Sequence, residues 1–460
     1  MATDGMLGSG SRLAELWWTR HGGAPAAGLA RGRLDLLVRY AREYSPFYRH
    51  AFDGLPEHAP LEALPRTAKA DLMAHFDGWA TDRRVTRAAV DHFLADRSRV
   101  GDRFLDRYWV WKSSGTSGQE GIFVQDPEAM AVYDALVVAQ LEEAPWNVEA
   151  AARALASGGR AALVVATGDH FASIASWQRM LRAFPGLEAR SFAVLDPLPR
   201  LVAQLNDWQP AFLAGYPSTL AVLAQEQLAG RLALRPALAW CGGETLEPAP
   251  RGTIEDAFGC GLMNEYGASE CLSIAHECTE GWQHLHAEWV LLEPVDRDGL
   301  PARPGEPSHT VLLTNLANWT QPVIRYDLGD RIVQCAGPCP CGNPLPAFRL
   351  QGRADAVLAL RRPDGEVVRL APLAVTTVIE EAVGDHAFQV AQRAPDRLVL
   401  RFAPARNAGA LLAARRNARE ALHRWLESQA LGHVHVTLDA HPPHRDAPSG
   451  KVRTVVVETG

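Results

Sequence analysis

Between residues 160 and 241, short apolar runs alternate with amphipathic ones, and this alternation limits the fold more than any other feature of the chain. Ala161–Ala166, residues 190–195, Ala211–Ala214 and Pro236–Cys241 read as strands. Residues 172–183, 198–207 and 217–229 read as the helices between them. Strands joined through helices run parallel, because the crossover helix carries the chain back before the next strand starts. The pattern predicts an α/β fold built on a parallel, helix-covered sheet. Ligands on such sheets bind at the carboxyl ends of the strands. Three turns lie there: Thr167-Gly168-Asp169-His170, Gly215-Tyr216-Pro217-Ser218 and Gly242-Gly243-Glu244-Thr245.

Just upstream, Tyr108–Trp111 and Ile122–Val124 read as two strands of a hairpin. The loop between them carries Ser113, Ser114, Gly115, Thr116, Ser117, Gly118 and Gly121. Glycine allows tight turns and close approach of a ligand to the backbone. Hydroxyls and freed N–H groups then face anionic oxygens, which suits the phosphates of a nucleotide. No Gly-Lys-Ser/Thr closes the loop, so it is not a Walker A loop. A polar surface loop between two strands is the plain alternative.

A chain of 460 residues exceeds one ordinary core, so two or more domains are expected. Residues 1–100 read as a helical preamble, within an N-terminal domain of residues 1–352. Strands at 288–296 and 310–315 suggest a small β-rich subdomain over about 285–350. Residues 353–460 read as a separate α+β unit, with helices at 372–382 and 408–429. Its strands are expected at Val357–Leu360, Phe388–Gln392, Leu398–Phe402 and His433–Leu438.

A net charge of -7 supplies no basic field for nucleic acid. Neither a signal-peptide h-region at Met1–Arg12 nor an apolar run long enough to span a bilayer occurs, so a cytoplasmic protein without membrane partners is expected. Seven cysteines, an odd and clustered set, point to reduced thiols or a metal site rather than a disulfide framework. Cys278, His284, Cys339 and Cys341 make a plausible tetrahedral set, with Cys335 and His286 as competitors and inert thiols as the alternative.

Four further stretches carry candidate chemistry. In Tyr266-Gly267-Ala268-Ser269-Glu270, the ring can lie on a flat base and Glu270 can hold magnesium, a hard cation that prefers carboxylate oxygen. In Tyr326-Asp327-Leu328-Gly329-Asp330, a carboxylate can accept both hydroxyls of a ribose, or Asp327 and Asp330 cap the turn. Gly352-Arg353-Ala354-Asp355 precedes the last unit, and Pro448-Ser449-Gly450-Lys451 lies near its end. A lone lysine on a glycine turn is ordinarily solvated, so Lys451 matters only if it reaches the larger domain.

These stretches, in this order, resemble the motifs of the adenylate-forming superfamily of acyl-CoA synthetases. The nearer resemblance is to its phenylacetate–CoA ligase branch, including the relatives of coenzyme F390 synthetases. It rests on Tyr40–Tyr48, Leu64–Asp71, Cys278 with His284, and Cys339-Pro340-Cys341-Gly342. One departure stands out: Gln119 and Glu120 follow Gly118 where many relatives carry a basic residue, and Lys112 is the expected substitute.

The resemblance implies activation of an aromatic carboxylic acid (phenylacetate, benzoate or anthranilate type) by ATP and transfer to coenzyme A. It implies that Ser113, Ser114, Gly115, Thr116, Ser117 and Gly118 cradle the phosphates and that Glu270 holds magnesium. Gly242, Gly243, Glu244, Tyr266 and Gly267 would serve the adenine, with Asp330 and Arg353 on the ribose. Lys451 would act in adenylation and Asp355 would be the hinge of a rotating lid. Tyr133, Phe171, Trp177, Gly215, Tyr216 and Ala268 are the candidates for the acid's pocket, the aromatic ones equally candidates for core. The branch's Cys…His and Cys-x-Cys-Gly segments are echoed by Cys278, His284, Cys339 and Cys341, and structural zinc on these four is the expectation, with inert thiols on a loop as the alternative. Transfer to an amine, a hydroxyl or a carrier-protein thiol, an inactive nucleotide-binding module, and a homodimer remain open on the sequence.

Overall fold

The computed structural model describes residues 2–21, 26–113, 120–145, 148–156, 158–183, 186, 188–351, 355–383, 386–405, 407–444 and 453–458. Its centre is a nine-stranded sheet in which Gly261–Ala268, Leu238–Gly242, Phe212–Gly215, Ala161–Val165 and Ala189–Ala193 are neighbours in that order and all parallel. Helices Ala172–Ala183, Leu198–Trp208, Pro217–Leu228 and Pro248–Phe258 make the crossovers. Alternate residues of one strand enter two different cores. Ala162 and Val164 pack with Leu205, Leu220 and Leu223, while Leu163 and Val165 join the larger core with Met130, Leu136 and Ile174. A strand buried on both faces must be apolar throughout, which is why this segment reads as continuous hydrophobic runs.

The β-rich segment about 285–350 is divided rather than separate. Val290–Val295, Thr310–Asn315 and Val323–Asp327 form a three-stranded antiparallel sheet. Gln283–Leu285, Ile332–Gln334 and Ala347–Leu350 instead extend the edge of the large sheet. The cause is the tight turn at Ser269 and Glu270, which folds Gly261–Ala268 back into Cys271–Glu277 as a hairpin. Once the chain reverses without a helix, every later strand on that edge adds antiparallel.

The N-terminal stretch, polar and glycine-bearing, forms helix Ala2–His21, which lies against helix Pro127–Glu143. Leu16 is buried there, and Arg20 pairs with Glu288 at 3.1 Å. Tertiary packing rather than propensity holds such a helix.

After residue 355 the chain builds its own core. Val375, Ile379, Val390, Leu398, Leu400, Ala418 and Leu422 are buried together between two helices, Pro372–Val383 and Ala408–Ser428, and a four-stranded sheet. That sheet runs His435–Leu438, Arg397–Phe402, Phe388–Ala394, Val455–Val457. The last of these strands was not expected from sequence, being three residues long; it pairs parallel to Phe388–Ala394. This unit meets the large sheet where Trp425 Nε1 and Gln429 Nε2 both donate to the Leu195 carbonyl at 3.1 Å. Ala371 and Ala374 pack there on Ala166 and Val194. Among the described residues no helix is long and apolar enough to cross a membrane.

Arg401 anchors the C-terminal strand. Its side chain is fully buried, with Nη1 and Nη2 on the Glu458 carboxylate at 2.8 and 2.9 Å and Nε on Asp439 at 3.1 Å. Removing one partner of a buried pair leaves the other charges uncompensated. Arg401→Met is expected to cost about 3 kcal/mol of stability, read as a lower denaturant midpoint, with protease cleavage appearing near residues 453–458; an unchanged midpoint would refute the role.

Candidate functional site

The hairpin Trp109–Lys112 and Ile122–Gln125 is pinned at the root of its loop. Ser113 N donates to the Gly121 carbonyl at 2.8 Å, and Gly121 N donates to Ser113 Oγ at 2.9 Å. A side chain at 121 would meet the Phe123 ring at 2.7 Å and Ser113 Oγ at 2.9 Å, so glycine is required for this closure. Ser114, Gly115, Thr116, Ser117 and Gly118 lie outside the described residues. The fully buried Trp111 ties the hairpin to the next stretch, its Nε1 donating to the Ser269 carbonyl at 2.8 Å.

Two tyrosine–carboxylate stretches meet beside this root and hold each other reciprocally. The Tyr266 hydroxyl donates to Asp330 Oδ2 at 2.8 Å, and the Tyr326 hydroxyl donates to Glu270 Oε1 at 2.6 Å. Each tyrosine thus holds the acid of the other stretch. Asn315 Nδ2 adds a bond to the Glu270 carbonyl at 3.0 Å. At Gly267 a Cβ would come within 2.0 Å of the Leu272 carbonyl oxygen, so no other residue fits. The Tyr266 ring is 7% exposed and stands edge-on to Phe348. Burial pushes the Glu270 carboxyl above its ordinary range, and the charge of Lys69 is the largest influence drawing it back. Lys69 Nζ also lies 3.4 Å from Ser113 Oγ.

Asp327 and Asp330 separate. Asp327 caps its own turn, accepting from Gly329 N at 3.0 Å and from Thr310 Oγ1. Asp330 instead turns to Tyr266. Lys112 does not stand free beside the loop as expected. Its Nζ is 3.3 Å from both Glu120 Oε1 and Asp169 Oδ2, so local acids take up its charge.

The strand-end turns behave as tight backbone junctions. Gly243 has φ +79° and presses on the Tyr216 ring, where a Cβ would sit 3.1 Å away; a Cβ on Gly215 would meet the Val164 carbonyl oxygen at 2.9 Å. Beyond Gly242, Glu244 accepts from Ser218 N and Oγ, both at 3.0 Å, and so caps helix Pro217–Leu228. Burial pushes the Tyr216 phenol up to about 12, and its hydroxyl is 3.2 Å from Ser173 Oγ. Phe171, Trp177, Tyr216 and Ala268 are partly buried against the main core. Tyr133 takes the core alternative: it is 3% exposed, and its hydroxyl accepts from Asn315 Nδ2 at 2.8 Å.

Arg353 and Lys451 lie outside the described residues. Asp355 is described, and its Oδ1 accepts from Val455 N at 3.0 Å, fastening the start of the last unit to its final strand. Glu380, which sequence reasoning missed, lies within the field of Asp355 and Glu120. Burial first, and then those two acids, push its carboxyl up to about 7. Its Oε1 is buried with no hydrogen-bond partner. Nothing in the linear pattern of helix Pro372–Val383 marks it, because the acids that face it come from elsewhere.

Cys278, His284, Cys339 and Cys341 converge, their four ligand atoms all within 4.8 Å of one another; Cys335 and His286 are not part of the group. Cys278 Sγ and Cys339 Sγ are 3.8 Å apart, and Cys341 Sγ is 3.2 Å from His284 Nε2. A tetrahedral ion with bonds near 2.3 Å requires S···S separations of about 3.8 Å. His284 Nδ1 is 3.1 Å from the Leu345 carbonyl, which fixes Nε2 as the free ligand atom. All seven cysteines are free.

The fold of the chain is similar to that of a solved 2-hydroxyisobutyryl-CoA ligase bound to 2-HIB-AMP and coenzyme A in its thioesterification state. That protein is 22% identical, with 95% of this chain and 91% of that chain aligned at a TM-score of 0.56. The fold is that of the adenylate-forming ligases. The same ligase in its postadenylation state aligns over 93% of this chain and 89% of that one, at 21% identity and a TM-score of 0.52. By sequence, Protein CapK of Staphylococcus aureus is 27% identical over 139 residues, which is 30% of this chain and 29% of that protein's length. No family model matches the chain.

The raised Glu380 carboxyl gives a pH dependence with a definite sign. Its folded pKa of about 7 lies above the ordinary 4.5, so the folded state favours the neutral acid. Its contribution is full below about 4.5 and is lost as pH rises through 7. Glu380→Gln is expected to raise the melting temperature by about 1–3 °C at pH 8 and to leave it unchanged near pH 4.5. Equal effects at both pH values would sink this assignment.

Proposed function

We propose that the chain is an AMP-forming carboxylic acid–coenzyme A ligase of the phenylacetate–CoA ligase-like branch. The observation that carries the reading is the reciprocal pairing of Tyr266 with Asp330 and of Tyr326 with Glu270 at the root of the glycine loop. It unites three stretches whose residue types each suit a different part of ATP. A carboxylate oxygen of the acid attacks the α-phosphorus of ATP, pyrophosphate leaves, and an acyl-adenylate remains. The thiolate of coenzyme A then attacks the acyl carbon and expels AMP. Positioning and charge neutralisation carry both steps.

In this reading Ser113 and the residues to Gly118 grip the phosphates, and Asp330 takes the ribose from its fixed place on Tyr266. Gly242, Gly243, Glu244 and Tyr266 line the adenine, and Arg353 supports ribose and phosphate. Glu270 fits a magnesium ligand: it is buried with one tyrosine donor, and a carboxylate has about four lone-pair sites. The ion would neutralise charge on the phosphates. Residues 353–460 act as a lid turning at Asp355, which brings Lys451 to the substrate carboxylate and α-phosphate in the first half-reaction. Phe171, Trp177 and Tyr216 favour an aryl acid, and free thiols throughout favour a cytoplasmic setting. Cys278, His284, Cys339 and Cys341 hold structural zinc, away from the reacting atoms.

ATP–pyrophosphate exchange tests the reading over a panel of aryl acids and small hydroxylated aliphatic acids such as 2-hydroxyisobutyrate. Exchange that depends on an aryl acid, with thioester on adding coenzyme A, is expected. No exchange with any acid would overturn it. Lys451→Ala should lower exchange at least ~100-fold yet form thioester from supplied acyl-adenylate at the wild-type rate; equal loss of both halves would remove that role. Metal analysis should find about one zinc per chain, lost with Cys339→Ser together with a fall in melting temperature; zinc-free, fully stable protein would refute the metal site.

A further inference from the structure

We propose that Lys69 is the phosphate-binding cation of this nucleotide site and supplies the positive charge that the glycine loop lacks. The inference rests on the ligase reading above and assigns a role to a residue of the Leu64–Asp71 stretch that the reading leaves without one. The problem it answers is electrostatic. The recognised stretches bring carboxylates together at Glu270 and Asp330, and the loop itself adds Glu120. Pyrophosphate leaving ATP is strongly anionic, and a buried acidic site repels it unless cations lie close. Lys112 cannot serve, because its ammonium is shared between Glu120 and Asp169.

Lys69 is placed where the charge is needed. Its Nζ is 3.4 Å from Ser113 Oγ, the residue that closes the loop root, and its field acts directly on Glu270. The backbone that carries it is tied to a neighbouring strand. Thr67 N donates to the Arg325 carbonyl at 3.1 Å, and Asp327 N donates to the Thr67 carbonyl at 2.9 Å. Thr67 Oγ1 adds a bond to the Ile324 carbonyl at 3.0 Å. The segment bearing Lys69 is therefore stitched to the strand that bears Tyr326. Helix Lys69–Ala74 also abuts the hairpin, where Ile122 N approaches Met73 Sδ at 3.4 Å. A lysine ammonium is a compact point charge with three donors, suited to oxygens of a phosphate chain. As the bond between the α-phosphorus and the bridging oxygen breaks, the electron pair moves to pyrophosphate, and Lys69 stabilises that charge.

Calorimetric titration of the full-length protein with pyrophosphate, MgATP and AMP tests this in wild type, Lys69→Met and Lys69→Arg. Loss of one charge-assisted contact is worth about 10- to 100-fold in affinity. Lys69→Met should weaken pyrophosphate and MgATP by that factor and leave AMP, which lacks the β- and γ-phosphates, within about twofold. Lys69→Arg should recover part of the loss. In exchange kinetics the KM for MgATP should rise, while thioester formation from supplied acyl-adenylate stays at the wild-type rate. Unchanged pyrophosphate affinity in Lys69→Met would overturn the proposal, as would an equal loss of AMP, which marks a purely structural role. If wild type binds neither nucleotide nor pyrophosphate, the ligase reading falls together with it.

Discussion

Two hydroxyl–carboxylate bonds hold the centre of this molecule together. Tyr266 to Asp330 and Tyr326 to Glu270 are crossed, so neither stretch keeps its acid in place alone. Tyr266 belongs to the large sheet and Tyr326 to the three-stranded sheet, so the pair of bonds also ties the two sheets together. Both tyrosines are nearly fully buried, and in low dielectric each bond is stronger than it would be in water. The loop root joins the same structure through Trp111 and Ser269. Displacing any one of these groups would leave a buried polar atom unpaired.

That arrangement makes the centre acidic. Glu270 is buried, and its affinity for a proton is raised by the burial. The same holds for Asp355 and Glu380 at the start of the last unit. In the proposed chemistry such a centre would receive an anionic phosphate chain only with cations present, which would give Lys69, a metal ion on Glu270 and Lys451 complementary tasks. Lys112 has a different task, holding Asp169 of the first strand-end turn against Glu120 of the loop.

The nine-stranded sheet was legible in advance because its central strands are buried on both faces and separated by amphipathic helices, a pattern written in neighbouring residues. The group of Cys278, His284, Cys339 and Cys341 was legible for a different reason, the narrow chemistry of cysteine and histidine, although its two halves lie far apart in the chain. Other features were not legible. The hairpin at Ser269 and Glu270 looks like any strand-ending turn until its partner strand is seen. Tyr133 reads like Phe171 or Tyr216 in sequence, but Asn315, far along the chain, takes its hydroxyl and makes it core. Asp327 and Asp330 are chemically alike, and only the position of Tyr266 distinguishes the turn cap from the cross-link.

The sequence by itself determined the α/β class, the helix-covered parallel strands, the ordered set of chemical stretches and the cysteine and histidine types of the convergent cluster. All of these rest on local periodicity or on residues with narrow chemistry. The tertiary structure alone decided which tyrosine holds which acid, that Lys112 is neutralised, that Lys69 reaches the loop root, and that Glu380 faces other carboxyls. Those are relations between segments distant in the chain, set by sheet order and helix packing, and a residue's charge in sequence carries no record of what will stand opposite it.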